Sequence, residues 1–164
     1  MKLLEHGRKP LLLFREHPHG KALKEMLPEG INYRYVTGKT SSQERKQIRE
    51  DFQAGKVDLI LASTVYDQGV NLPALDALVL ADPGKSTAKA LQRVGRVIRG
   101  YKEGGKKNAI VIEVFDQTHY VNNHSYGRFN IYRTEEAFKF KMGKEFANFI
   151  KRKDRNGKGK TNNS

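Results

Sequence analysis

The residues best suited to chemistry stand together in Gln92-Arg93-Val94-Gly95-Arg96-Val97-Ile98-Arg99. At a helical advance of about 100° per residue, Gln92, Arg96 and Arg99 fall within an arc of roughly 60°. Leu91, Val94, Val97 and Ile98 point the other way, and Gly95 lies between the two faces. One side of such a helix packs on a core. The other presents two guanidiniums and an amide at fixed separation. Guanidiniums are planar, permanently charged and matched to phosphate oxygens. A solvated basic face would show the same charge pattern. A mid-helix glycine, however, costs about 1 kcal/mol against alanine and usually has a packing or approach reason.

A second candidate is Thr37-Gly38-Lys39-Thr40-Ser41-Ser42, which ends like a phosphate-binding Walker A loop. That motif needs another glycine five residues before Gly38, and the position holds Tyr33. The phosphate cradle therefore lacks its first turn. A loop feeding a capped helix fits better: Ser41 and Glu44 form a capping-box pattern, Ile48 and Phe52 give a buried stripe, and Gly55 stops the helix. The amino end of that helix, preceded by Gly38 and Lys39, is suited to one backbone phosphate. A third candidate, Ser63-Thr64-Val65-Tyr66-Asp67-Gln68-Gly69-Val70-Asn71-Leu72-Pro73, directly follows an apolar run. The five histidines show no metal-ligand spacing, and no site residue is assigned to a metal.

Positioning these loops requires a scaffold. Strands are predicted at Leu11–Phe14, Ile31–Val36, Val57–Ala62, Ala77–Ala81 and Ala109–Phe115. Helices are expected over Gly20–Leu27, with Ala22, Leu23, Met26 and Leu27 on one side, after Ser41, and from Ser86 or Thr87 to Gly100. Alternating strands and helices argue for βαβ units, hence an α/β fold with a parallel sheet flanked by helices. Ligands in such sheets bind at the carboxyl ends of strands, which puts the Thr64–Pro73 loop and the arginine helix on one edge. Residues 1–9 look like a severed connection or a short helix, and 10–116 like the α/β domain. Residues 117–150 look like a helical extension. There Thr134 caps a helix with Phe138, Met142, Phe146 and Phe149 or Ile150 at helical spacing. Residues 151–164 form a basic tail too polar to fold.

The formal net charge of +13 points to a polyanion, of which nucleic acid is the commonest. With no cysteine, disulfides and thiolate metal sites are excluded. No apolar run reaches 18 residues, so no membrane partner is expected. The expected setting is cytoplasmic or nucleoid-associated, with a viral source also compatible.

In order, Leu11–Phe14, Gly38 before a helix, Ser63-Thr64 through Gly69-Val70-Asn71-Leu72-Pro73, and Gln92-Arg-x-Gly-Arg-x-x-Arg99 resemble a known family. The likeness, over residues 10–116, is to the second, RecA-like domain of superfamily 2 helicases through their motifs IV, V and VI. It lies closer to the DNA-repair and phage-type branch than to the DEAD-box RNA helicases. The resemblance implies ATP bound between two domains, with Mg2+ held mainly by the first. It implies Arg96 and Arg99 as arginine fingers on the γ-phosphate, Gln92 orienting a phosphate or the attacking water, and Gly69 and Asn71 at the nucleotide. Family helicases usually carry Asp at position 71; an amide there keeps a ribose hydrogen bond available. Gly38, Lys39, Thr64 and Val65 would face the phosphate backbone of DNA, a single strand within a duplex or branched substrate. The Walker lysine and acidic Asp-Glu motif of the first domain have no counterpart in the sequence, and neither Asp51 nor Asp82 lies in such a motif. The expectation is half of a motor, needing an amino-terminal RecA-like domain in cis or in trans. A non-enzymatic nucleic-acid-binding module and, against the broken glycine spacing, a P-loop phosphotransferase are the alternatives.

Overall fold

Alternation within short apolar strands builds the core. In β1 (Pro10–Phe14), Leu11 and Leu13 face one way and Leu12 and Phe14 the other. In β3 (Leu59–Ser63), Ile60 and Ala62 oppose Leu59 and Leu61 in the same manner. All five residues of each strand are buried, as strands covered on both faces must be. The computed structural model describes residues 2–63, 72–81, 95, 108–115, 119–136 and 138–158. These divide into two compact units, Met1–Val114 and Phe115–Ser164.

In the first unit a short helix α1 (Lys2–Glu5) precedes β1, and α2 (His17–Glu25), β2 (Tyr33–Val36), α3 (Ser42–Gln53), β3, β4 (Ala77–Leu80) and β5 (Ile110–Glu113) follow. The described strands form one parallel sheet in the order β2-β3-β1-β4-β5. Helix α3 supplies Ile48 and Phe52 to the cluster on one face, with Leu11, Leu13, Ile60 and Leu78. Leu23 and Leu27, in and just after α2, cover the other face over Leu12, Phe14 and Leu59. This is the expected α/β architecture of a RecA-like domain.

Local signals fix α3. The Ser41 side chain accepts from the Glu44 backbone N–H at 3.1 Å, and Gly55 follows the helix at φ 78°. Helix α2 differs from expectation at both ends. It starts at His17, because Pro18 is tolerated in a first turn, and it ends at Glu25. Its packing stripe is Gly20, Leu23 and Leu27, whereas Ala22 and Met26 are exposed. Gly20 is where helix meets sheet: a Cβ there would lie 2.5 Å from Cζ and 2.6 Å from Cδ2 of Phe14, a ring stacked on Tyr35 at 5.4 Å.

The second unit contains α4 (His119–Tyr132) and α5 (Lys144–Lys158). The helix expected from Thr134 is not formed. Its hydroxyl instead donates back to the Ile131 carbonyl at 2.8 Å, just past the end of α4. Phe138 and Phe140 sit in a non-helical stretch at a spacing of two, and their rings meet Tyr132 and Phe129 of α4. Helix α5 begins only at Lys144, which leaves Met142 outside it and exposed. It then runs past Lys151 to Lys158, through a stretch that composition suggests is unfolded. Phe146 and Phe149 anchor it against Phe115, Phe129 and Tyr126. Asp154 accepts from the Tyr126 hydroxyl at 2.7 Å and pairs with Arg133 at 3.3 Å.

Candidate nucleotide and nucleic-acid site

Parallel strands end on one edge, and the register sets which ends are neighbours. Val36 pairs with Ala62 and Phe14 with Ser63. The turn after β2 therefore leaves the sheet beside the end of β3, so Gly38 and Lys39 start next to the strand that leads into Thr64 and Val65. Gly38 and Lys39 are exposed.

The turn is closed by its own side chains. The Thr37 N–H donates to Thr40 Oγ1 at 3.0 Å, the Lys39 N–H to Thr37 Oγ1 at 3.2 Å, and the Thr40 N–H to the Thr37 carbonyl at 3.2 Å. A Walker loop instead presents its N–H groups to phosphate. With three of them spent internally, the turn is not such a cradle. Its carbonyls are gathered by Arg45, whose guanidinium donates to Thr40 at 2.9 Å and to Thr37 and Gly38 at 3.3 Å each. Arg45 therefore braces the turn from α3. Sequence reasoning missed it. The usable signal was an arginine four residues after the Ser41 cap, one helical turn from the loop.

Ser63, at the end of β3, is 4% exposed, and among the described residues its hydroxyl has no hydrogen-bond partner. Of the other site residues expected from sequence, Thr64, Val65, Gly69, Asn71, Gln92, Arg96 and Arg99 lie outside the described residues. So do Asp82 and the proposed caps Ser86 and Thr87. Gly95 is described: it is helical and exposed, and a Cβ on it would meet nothing within 4 Å. Among the described residues, then, nothing packs against the glycine of the arginine motif.

The opposite, amino-terminal edge carries a second feature that sequence reasoning missed. Asp76 is 2% exposed, accepts the Lys9 N–H at 2.6 Å and pairs with Arg8 at 3.5 Å. Arg8 also donates to the Asn108 carbonyl at 2.8 Å and to its side-chain oxygen. This network joins the starts of β1, β4 and β5. An acid placed between Leu75 and Ala77, at the entrance to an apolar strand, is the signal that could have found it. Among the described residues, no group of three His, Asp or Glu is placed to hold a metal ion, and no helix is long and apolar enough to cross a membrane.

A parallel sheet covered by helices on both faces, with its polar loops at the carboxyl edge, defines a RecA-like α/β domain. The helicase conserved C-terminal domain family matches residues 2–101, and the chain belongs to that family. It is 34% identical over 90 residues to the putative helicase 22 of Sulfolobus islandicus filamentous virus, covering 54% of this chain and 16% of that protein. It is 40% identical over 80 residues to the DNA 3'-5' translocase XPB2 of Sulfurisphaera tokodaii, covering 48% and 17%. The chain thus spans about a sixth of these relatives' length. Among solved structures, the C-terminal domain of the DEAD-box protein Dbp5 superposes with a TM-score of 0.65 at 20% identity, over 79% of this chain and 72% of that one. Helicase MrfA, bound to DNA and AMPPNP, superposes with a TM-score of 0.58 at 20% identity, over 79% and 19%.

Proposed function

We propose that this chain is the second motor domain of an ATP-dependent DNA helicase or translocase, active only with an ATP-binding first RecA-like domain in cis or in trans. The observation that carries the reading is the shared edge. The braced Thr37–Ser41 turn leaves the sheet beside the strand end that feeds Thr64 through Asn71, the placement a backbone-gripping loop pair needs. Gly38, Lys39, Thr64 and Val65 then contact phosphates of one DNA strand. Such contacts position the strand and carry little sequence preference. The DNA translocase among the relatives and the DNA-bound neighbour support DNA as the substrate.

ATP lies against the Gly69–Asn71 segment and the arginine motif, with Mg2+ held mainly by the first domain. Arg96 and Arg99 neutralise charge that builds on the transferred phosphoryl, and Gln92 orients a phosphate or the water. Losing such a finger lowers turnover by about 10³–10⁵ in related NTPases, and losing a single stabilising donor by about 10²–10³. In the two-domain protein, Arg96→Ala and Arg99→Ala should each lower ATP turnover by about 10² or more. Nucleotide affinity and melting temperature should change far less. Arg→Lys should also fail, since an ammonium loses the planar fork. The isolated chain should release no phosphate from ATP. Near-normal turnover in the arginine variants, or loss only in step with melting temperature, would overturn the finger role. Robust turnover by the isolated chain, abolished by Lys39→Ala, would overturn the half-motor reading.

A further inference from the structure

The second unit extends beyond the matched family segment, residues 2–101, and has its own charge pattern. Residues 115–164 hold eleven lysines and arginines against five acids. Helix α5 concentrates this charge on one side. Its apolar side is already used: Phe146 and Phe149 sit among Phe115, Tyr126 and Phe129, and Ile150 is buried. Its last acid, Asp154, is held by Tyr126 and Arg133. Lys153 lies 5.7 Å over the Phe149 ring.

What remains outward is Asn148, Lys151, Arg152 and Arg155, all exposed and lining one shallow concavity. Their spacing of three, four and seven residues makes them a single helical stripe. Among the described residues, no acid pairs with Lys151, Arg152 or Arg155.

We infer that this face of α5 is a separate nucleic-acid contact, binding the phosphodiester backbone without base preference. The inference rests on the nucleic-acid reading above and deepens it. Lys151 and Arg155 are separated by about 6 Å along the helix axis. Phosphates on one strand of B-form DNA advance about 3.4 Å each, so the stripe spans two or three of them. The arginines suit phosphate oxygens bidentately, and the Asn148 amide adds a neutral donor. A basic amphipathic helix can also lie on an anionic membrane, but it does so by burying its apolar face among acyl chains. Here aromatic rings of the same unit occupy that face. A polyphosphate strand is therefore favoured over a lipid surface.

The test uses the full chain and a labelled mixed-sequence single strand, with affinity followed by fluorescence anisotropy across a salt series. Each lost phosphate contact lowers the slope of log affinity against log salt by about 0.7 for single strands. The triple variant Lys151→Gln, Arg152→Gln, Arg155→Gln should therefore flatten the slope by about 2, with an unchanged melting temperature. Arg155→Gln alone should flatten it by about 0.7. Lys153→Gln, which removes the same charge from the ring-facing side, should leave it near that of the parent. If Lys153→Gln matches Arg155→Gln, net charge and not this face is responsible, and the inference is overturned. A slope unchanged in the triple variant but reduced by Lys39→Ala overturns the α5 contact and leaves the proposed function standing. A parent chain with no salt-dependent binding overturns both. If phosphatidylserine vesicles lose binding to the triple variant while the oligonucleotide does not, the face is a membrane contact instead.

Discussion

The two ends of the parallel sheet handle charge in opposite ways. At the amino-terminal end the chain turns its charges on itself: Asp76 is buried against the Lys9 N–H and Arg8, and Arg8 reaches across to Asn108. At the carboxyl-terminal end the internal bonds belong to the backbone of the Thr37–Thr40 turn and its Arg45 brace, while Gly38 and Lys39 point to solvent. Only the second arrangement leaves a charged side chain for an outside ligand. On the proposed function, the difference separates stability from function on one scaffold. Substitutions at the amino-terminal end should unfold the domain without affecting chemistry, and those at the carboxyl-terminal end should do the reverse.

The sharpest break of that contrast is Asp76→Ala. It removes an acceptor from the half-buried Lys9 N–H and leaves Arg8, itself largely covered, without its carboxylate. Hydrogen bonds to charged groups contribute about 1.5–3 kcal/mol, so a loss of about 2–3 kcal/mol is expected. For a chain of this size that is a fall of roughly 5–10 °C in melting temperature. In a two-domain protein assayed below its transition, turnover per folded molecule should stay at the parent level. A large fall in turnover with unchanged melting would show that the amino-terminal end also serves the chemistry.

Gly20→Ala should have a smaller effect, because two terms oppose. Alanine gains about 1 kcal/mol over glycine within a helix. Its Cβ, however, would overlap the Phe14 ring, which is fully buried and stacked on Tyr35. Such overpacking costs about 1–3 kcal/mol. The net expectation is a destabilisation of about 1 kcal/mol, read as a lower urea midpoint at unchanged slope. A higher midpoint would mean that α2 can move off β1 at little cost.

Where a local signal sufficed, the sequence was legible. Ser41 with Glu44 predicts the start of α3, Gly55 its stop, and Leu11–Phe14 a doubly covered strand, because cap, left-handed turn and apolar run each act within a few residues. Where distant groups decided, it was not. Phe138 reads as the first position of a helical stripe, yet it packs with Phe140 against α4 in a stretch that is not helical. Residues 151–158 read as an unfolded basic tail, yet Asp154 finds Tyr126, 28 residues away in sequence. The same holds for the turn after β2, where the site is proposed. Gly38 and Lys39 were visible as a glycine and a lysine before a capped helix. Arg45 was hidden, because its role appears only when the turn folds back over the first turn of α3.

Gly95 gives the smallest effect, of opposite sign, and it tests the contrast from the other side. It is helical and exposed, and a Cβ there meets none of the described residues within 4 Å. Gly95→Ala should therefore stabilise the isolated chain by about 0.4–1 kcal/mol, by restricting the unfolded chain and favouring the helix. Gly20 and Gly95 then differ in where the reason for glycine lies: against Phe14 for the first, and not against any described residue for the second. In the two-domain protein the added methyl group stands in the arginine motif, between Arg96 and Gln92 in sequence. If the facing domain or its nucleotide approaches closely there, Gly95→Ala should lower ATP turnover even as the isolated chain melts higher. Both measurements belong on the same pair of proteins, with and without the first domain. A variant more stable alone and slower in the motor would place the close approach at the domain partner. A variant more stable alone and equally fast would show that Gly95 is dispensable there, and that Arg96 and Arg99 act without crowding.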